Sequence, residues 1–248
     1  EIQERIDKAW KEYDLVEALP KPIHRRTLTW LEFEQRSNKL AHYFLSRGVT
    51  KGSKVALLLM NCIGWLPIYF GILKTGAVVA PMNFRFSSDE IKYCLDLSES
   101  NVLVFGPEFI SRIDAVKDKL SGIREFIFAG NREDCPPYAK YIEDAVSDMP
   151  SSNVHIDIKD TDDAAIYFSS GTTGFPKAVL HTHSSLLASC RTENSNHHQT
   201  HEDIFLCIPP LYHTGAKMHW FGSFLVGGRG VILRGVSPKW ILKTISEE

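Results

Sequence analysis

From Val55 to Leu73 the chain carries no charged residue, a length that could just span a bilayer. Asn61, Gly64, Pro67 and Gly71 interrupt the run, and neither a hairpin partner nor an aromatic belt accompanies it. The better reading is a buried strand over residues 54–59, then a helix from about 63 to 75. Gly76 stops that helix, and a second buried strand covers residues 77–81. Two apolar strands joined by a helix make a βαβ unit, which needs a parallel sheet with helices over both faces.

The flanking segments extend the same pattern. Residues 27–30 read as a short strand leading into a helix in which Phe33, Leu40, Ala41 and Phe44 recur at helical spacing until Gly48. Ser87-Ser88-Asp89-Glu90 caps a further helix with Ile91, Cys94 and Leu95 on its buried face. Residues 102–105 read as strand, 108–120 as helix and 125–128 as strand. A polar segment follows from 131 to 161, then a strand over 163–168. Near the end, Ser237 and Pro238 look like an N-cap and first helical residue, with Trp240, Ile241 and Ile245 on the apolar face. The fold class expected is α/β, layered mostly parallel sheets flanked by helices.

Composition agrees with that class. The 248 residues are 44% hydrophobic and 23% charged, enough apolar material for a sizeable core and too much for a disordered chain. Lys and Arg total 28 against 30 Asp and Glu, a net charge of -2, so no basic excess exists to hold nucleic acid. Cys62, Cys94, Cys135, Cys190 and Cys207 are odd in number and lack C-x-x-C spacing. With no apolar signal core at the start, they read as reduced thiols of a cytoplasmic protein.

The strand over 163–168 runs into the most informative segment. Ser169-Ser170-Gly171-Thr172-Thr173-Gly174-Phe175-Pro176-Lys177 packs four hydroxyls, two glycines and a lysine into nine residues. Glycines let backbone N–H groups wrap an anion, hydroxyls add donors and lysine adds a point charge, a set suited to a polyphosphate. It is not a P-loop: Pro176 stands where the second Gly belongs, and Ala178 where Ser or Thr would hold magnesium.

Residues 167–177 resemble the phosphate-loop signature of the adenylate-forming (AMP-binding) enzymes, a superfamily of acyl-CoA synthetases, peptide-synthetase adenylation domains and luciferases. Leu28-Thr29-Trp30-Leu31-Glu32-Phe33, residues 73–83 and Pro209-Pro210-Leu211-Tyr212-His213-Thr214-Gly215 are similar to three further blocks in the family's order. Ala178 departs from the usual Gly after Pro-Lys and would restrict the loop if its φ were positive. The resemblance implies two half-reactions: a carboxylate attacks the α-phosphate of ATP, and then a thiol, usually of coenzyme A, displaces AMP. It implies that Ser169, Ser170, Gly171, Thr172, Thr173 and Gly174 hold phosphates and that Lys177 offsets charge on departing pyrophosphate. It also places Ser169 near Mg²⁺, and His213 beside the reacting carboxylate as a second catalytic residue. Gly215, Met218 and His219 join His213 in lining the acid site.

Methionine at 218 and tryptophan at 220 suggest a fatty or aromatic acid, with packing in an ordinary core as the other reading. His181 and His183 read as structural. His197 and His201 sit at i and i+4, but polar neighbours make them a solvated turn in preference to a metal site.

The function expected is ATP-dependent activation of a carboxylic acid and transfer to coenzyme A. The alternatives are a peptide-synthetase adenylation domain or fatty-acid–AMP ligase, and a non-catalytic nucleotide-binding fragment. The expected organisation is a lead-in over 1–26 and an incomplete AMP-binding domain over 27–248, without the family's C-terminal lid domain. Such a piece is expected not to complete the reaction alone, and its open strand edges favour self-association into a homo-oligomer.

Overall fold

The structure is a computed structural model that describes residues 26–169 and 174–248, apart from the side chains of residues 216 and 219. Most of the expected lead-in segment therefore lies outside the described residues.

Helix α1 (Trp30–Ser46) begins at a reciprocal cap. The Thr29 amide donates to Glu32 Oε2 at 2.7 Å, and the Glu32 amide donates to Thr29 Oγ1 at 3.2 Å. The short strand expected over 27–30 does not form. Trp30 is already helical, and Thr29 spends its amide and hydroxyl on the cap instead of on a neighbouring strand.

The charge-free run folds as the pattern requires. Strand β1 (Lys54–Leu58), helix α2 (Trp65–Lys74) and strand β2 (Val78–Pro81) form a parallel βαβ unit in register Lys54 to Val78. Gly76 takes φ +75, the left-handed turn that releases the chain from α2 into β2. Among the described residues no helix is long and apolar enough to cross a membrane.

Helix α3 (Ser88–Leu97) carries the second reciprocal cap, Ser87 with Glu90, and buries Ile91, Cys94 and Leu95. Strand β3 (Val102–Phe105) and strand β4 (Glu125–Phe128) lie parallel to one another. The continuous helix expected over 108–120 is broken. Only helix α4 (Ile110–Asp114) is α-helical, between 3₁₀ turns at Pro107–Phe109 and Lys117–Lys119. Val116 leaves helical geometry at φ -130, yet Phe109, Ile113, Val116 and Leu120 all reach the core. The apolar spacing is honoured; the helical backbone between is not.

The polar segment hides two elements. Strand β5 (Lys140–Tyr141) extends the sheet edge, and helix α5 (Ile142–Val146) buries Ile142, Ala145 and Val146. Strand β6 (Asp163–Ser169) then pairs parallel with β2, and strand β7 (Lys177–Thr182) returns antiparallel to it. The sheet order is β5-β4-β3-β1-β2-β6-β7. Helix α6 (His183–His197), strand β8 (Ile204–Cys207), helix α7 (Thr214–Leu225) and strand β9 (Arg229–Ile232) follow. β8 and β9 form a separate parallel pair. Helix α8 (Pro238–Glu247) is capped by Ser237, and its Ile245 stays exposed.

Alternate residues of the central strands enter two cores. Val55, Leu57, Val79 and Val104 face α1 and α2; Ala56, Leu58, Ala80 and Leu103 face α3 and α4. The α1–α2 layer depends on Gly71. A Cβ there would stand 2.7 Å from Leu40 Cβ and 3.1 Å from the Ser37 carbonyl. Gly71→Ala should therefore destabilise the fold by about 1–3 kcal/mol in urea unfolding. Gly64→Ala, with nothing within 4 Å of the new Cβ, should stay within about 0.5 kcal/mol of wild type.

Candidate functional site

β6 is buried from Ala164 to Tyr167 and emerges at Ser169, at the carboxyl edge where β1 and β2 also end. Open α/β sheets place their ligand sites at this edge. Lys177 opens β7 directly opposite Ser169, so the sheet ladder clamps the two ends of the Ser/Thr/Gly loop. Both residues are exposed. Gly174 has φ +100, a backbone that favours glycine, and among the described residues nothing stands within 4 Å of where its side chain would be. Phe175 rests on Tyr93 of α3 with ring centroids 4.8 Å apart. Ser170, Gly171, Thr172 and Thr173 lie outside the described residues. Ala178 pairs with Phe168 in regular strand and has no positive φ, so the alanine costs the loop no backbone strain.

The second block is held at the same edge by one side chain that the sequence reading passed over. Asn61, buried just past β1, accepts from the Leu211 amide at 2.8 Å. Its Nδ2 donates to the Pro209 carbonyl at 2.9 Å and the Leu233 carbonyl at 3.1 Å. The turn before α7 is thereby tied to β1 and to the end of β9. Tyr212 then packs edge-on against Phe84 at 5.2 Å, while Phe86 meets Phe168 beside the loop at 6.3 Å. The segment after β2 thus sits between the two blocks.

His213 is the residue before the first turn of α7, exposed, with its ring 4.3 Å from that of Tyr212. Partial burial, with Lys217 and Arg85 nearby, pushes its pKa below the ordinary histidine value. A neutral imidazole results, able to donate or accept one hydrogen bond without adding charge. Gly215 is exposed in the first turn of α7. Met218 and Trp220 are 4% and 3% exposed and belong to the main core, Met218 lying 3.7 Å from Cys190 Sγ. The side chain of His219 lies outside the described residues. His181 packs against Tyr167, and His183 opens α6, both as structural parts of the β6–β7 region. His197 ends α6, and among the described residues no three His, Cys, Asp or Glu side chains gather to hold a metal.

Lys217 is the other residue missed. It is wholly buried, and among the described residues Nζ has no hydrogen-bond partner. Nζ stands 4.1 Å from the ring centre of Tyr167, 4.8 Å from that of Tyr69 and 5.0 Å from that of Trp65. The Tyr69 and Tyr167 hydroxyls pair at 2.9 Å, and burial keeps both protonated. Burial drives the lysine pKa well below its ordinary value. A signal existed: Lys217 is the single Asp, Glu, Lys or Arg between Asp203 and Arg229.

The architecture is a mostly parallel α/β sheet with the two ends of a lysine-ended Ser/Thr/Gly segment paired at its carboxyl edge. The chain belongs to the AMP-binding enzyme family, whose profile matches residues 8–248. It is 28% identical over 204 residues to a long-chain-fatty-acid–CoA ligase of Mycobacterium tuberculosis, covering 81% of this chain and 39% of that protein. The solved N-terminal domain of FACL13 from Mycobacterium tuberculosis superposes with TM-score 0.81 at 23% identity, over 99% of this chain and 60% of that one. ATP-bound MatB from Rhodopseudomonas palustris superposes with TM-score 0.79 at 22% identity, over 98% of this chain and 48% of that one. The chain spans under half the length of the curated relatives it matches.

The buried amine has a measurable signature. A lysine whose folded pKa lies below its unfolded value of about 10.4 binds fewer protons when folded. Stability therefore rises with pH across that window, by up to about 1.4 kcal/mol per unit. Lys217→Met should be more stable than wild type near pH 8, and the difference should shrink towards about pH 10. A difference in urea unfolding that stays constant with pH would mean that the amine is charged in its box.

Proposed function

We propose that the protein carrying this chain is an ATP-dependent acid–thiol ligase. In the first step a substrate carboxylate oxygen bonds to the α-phosphorus of ATP as the bond to the bridging oxygen breaks, releasing pyrophosphate. In the second, the sulfur of coenzyme A attacks the acyl carbon and AMP departs. The observation that carries the reading is the clamped loop, with Ser169 and Lys177 opposed across the β6–β7 ladder and Gly174 open between them. Membership of the AMP-binding family and similarity to proteins named as CoA ligases support it.

Each residue has a task in this scheme. The loop from Ser169 through Ser170, Gly171, Thr172 and Thr173 to Gly174 would hold the β- and γ-phosphates with hydroxyls and backbone amides. Lys177 would neutralise charge that grows on pyrophosphate, the kind of preorganised electrostatic help on which phosphoryl transfer depends. His213, kept neutral, would orient the acid's carboxylate, with Gly215 and His219 beside it. Magnesium would arrive on the nucleotide. Ser169 offers it one hydroxyl, and no carboxylate cluster among the described residues forms a resident site.

The acid would have an apolar body, fatty or aromatic, as the names of the relatives suggest for themselves. An amino acid is disfavoured because no Asp or Glu lies between Leu211 and Ser246 to hold a substrate ammonium. Over residues 27–248 the chain would supply the phosphate-binding part of the domain. Adenine and ribose contacts, and the lid, would come from the remaining length that the relatives have.

In the whole protein, Lys177→Ala should slow ATP–pyrophosphate exchange by one to three orders of magnitude, about 1.4–4 kcal/mol. Exchange at the wild-type rate would remove Lys177 from the phosphate site. A second expectation concerns pH. The neutral form of His213 is the working one, so exchange should fall only as pH drops below about 6.5. His213→Gln should lose that acid limb, and a limb unchanged in the variant would assign it to another group.

A further inference from the structure

A closed aromatic box is an unfavourable place for an amine. The faces of Tyr167, Tyr69 and Trp65 surround Lys217 Nζ, but among the described residues no acceptor completes its shell. A methionine of similar length would fill the same space without that cost. What an amine adds is the ability to meet an acceptor that arrives from elsewhere. Its position says from where. Lys217 lies one helical turn beyond His213 on α7, and its box is walled by β6, which reaches Ser169 two residues after Tyr167.

We infer that Lys217 is a specificity-determining residue that recognises a second electronegative group, above all a second carboxylate, on the apolar body of the acid held at His213. The inference rests on the acid-activating function proposed above and narrows its substrate class. Aromatic walls suit the apolar body, and the amine exchanges its ring contacts for a charge-assisted hydrogen bond to the distal group. A site that must pair with a substrate group discriminates strongly against the analogue lacking it, because the buried partner is then left unsatisfied.

The test uses the whole protein and matched acids: straight-chain α,ω-dicarboxylates and terephthalate, each against the monocarboxylate of the same carbon skeleton. In ATP–pyrophosphate exchange, kcat/KM for the best dicarboxylate should exceed that of its monocarboxylate partner by about 100-fold. Lys217→Met should erase this preference, lowering the dicarboxylate by about the same factor while the monocarboxylate holds or improves; Lys217→Arg should keep much of it. Wild-type preference for every monocarboxylate, or an equal loss on both members of a pair, would overturn the inference. Thermal melting controls for folding, and Lys217→Gln replaces the methionine variant if that one does not fold. If no acid supports exchange, the acid-activating function fails instead. Calorimetric titration of the same dicarboxylates then decides Lys217: binding to wild type that vanishes in Lys217→Met supports recognition, and binding to neither overturns it.

Discussion

Burial on both faces of the central strands is the constraint on which everything else depends. β1 is covered from Val55 to Leu58, and its neighbours β2 and β3 are buried throughout. No backbone group of such a strand can turn to water, so each must be paired within the sheet. The helices must then lie over both faces, and the strands must end together at one carboxyl edge. That edge is where the loop, the turn before α7 and the segment after β2 converge.

Convergence needs more than a sheet, because loops at an edge have to be fastened. Asn61 performs this for the His213 block with its amide alone, accepting from one backbone amide and donating to two carbonyls from distant parts of the chain. Removing such a buried group would strand several backbone atoms without partners, which is why a small polar side chain can outweigh much apolar contact. The phosphate loop is fastened differently, by the antiparallel ladder of β6 and β7. The strands hold Ser169 and Lys177, the two ends of the glycine-containing segment, opposite one another.

Lys217 belongs to the other side of this arrangement, where stability is given up. Its box joins α2, β6 and α7, so the amine touches the elements that carry both candidate blocks. The neighbouring thiols stay protonated: burial pushes Cys190 up to about 11 and Cys207 up to about 12, and neither provides a counter-charge. A group held against its own solvation, near reactive side chains, is a common mark of sites that act on ligands.

Much of this molecule was legible in its residues. Continuous apolar runs marked β1 to β4 and β6, Ser87 with Glu90 marked the start of α3, and the Ser/Thr/Gly loop with Lys177 marked a candidate phosphate site. Each of these signals is local, carried by residues a few positions apart. What only the tertiary structure decided depends on residues far apart in the chain. β5 is two residues long and pairs with the edge that β4 offers; the break in the 108–120 helix falls at Val116, which leaves helical geometry yet stays buried. Met218 and Trp220 suggested an acid pocket by type alone, and packing put them in the core. Lys217 was visible as an isolated charge in an apolar stretch, but its burial required Trp65, Tyr69 and Tyr167 to arrive from two other elements. Local chemistry is written in neighbouring residues; burial and charge state are properties of an environment that does not exist until the chain has folded.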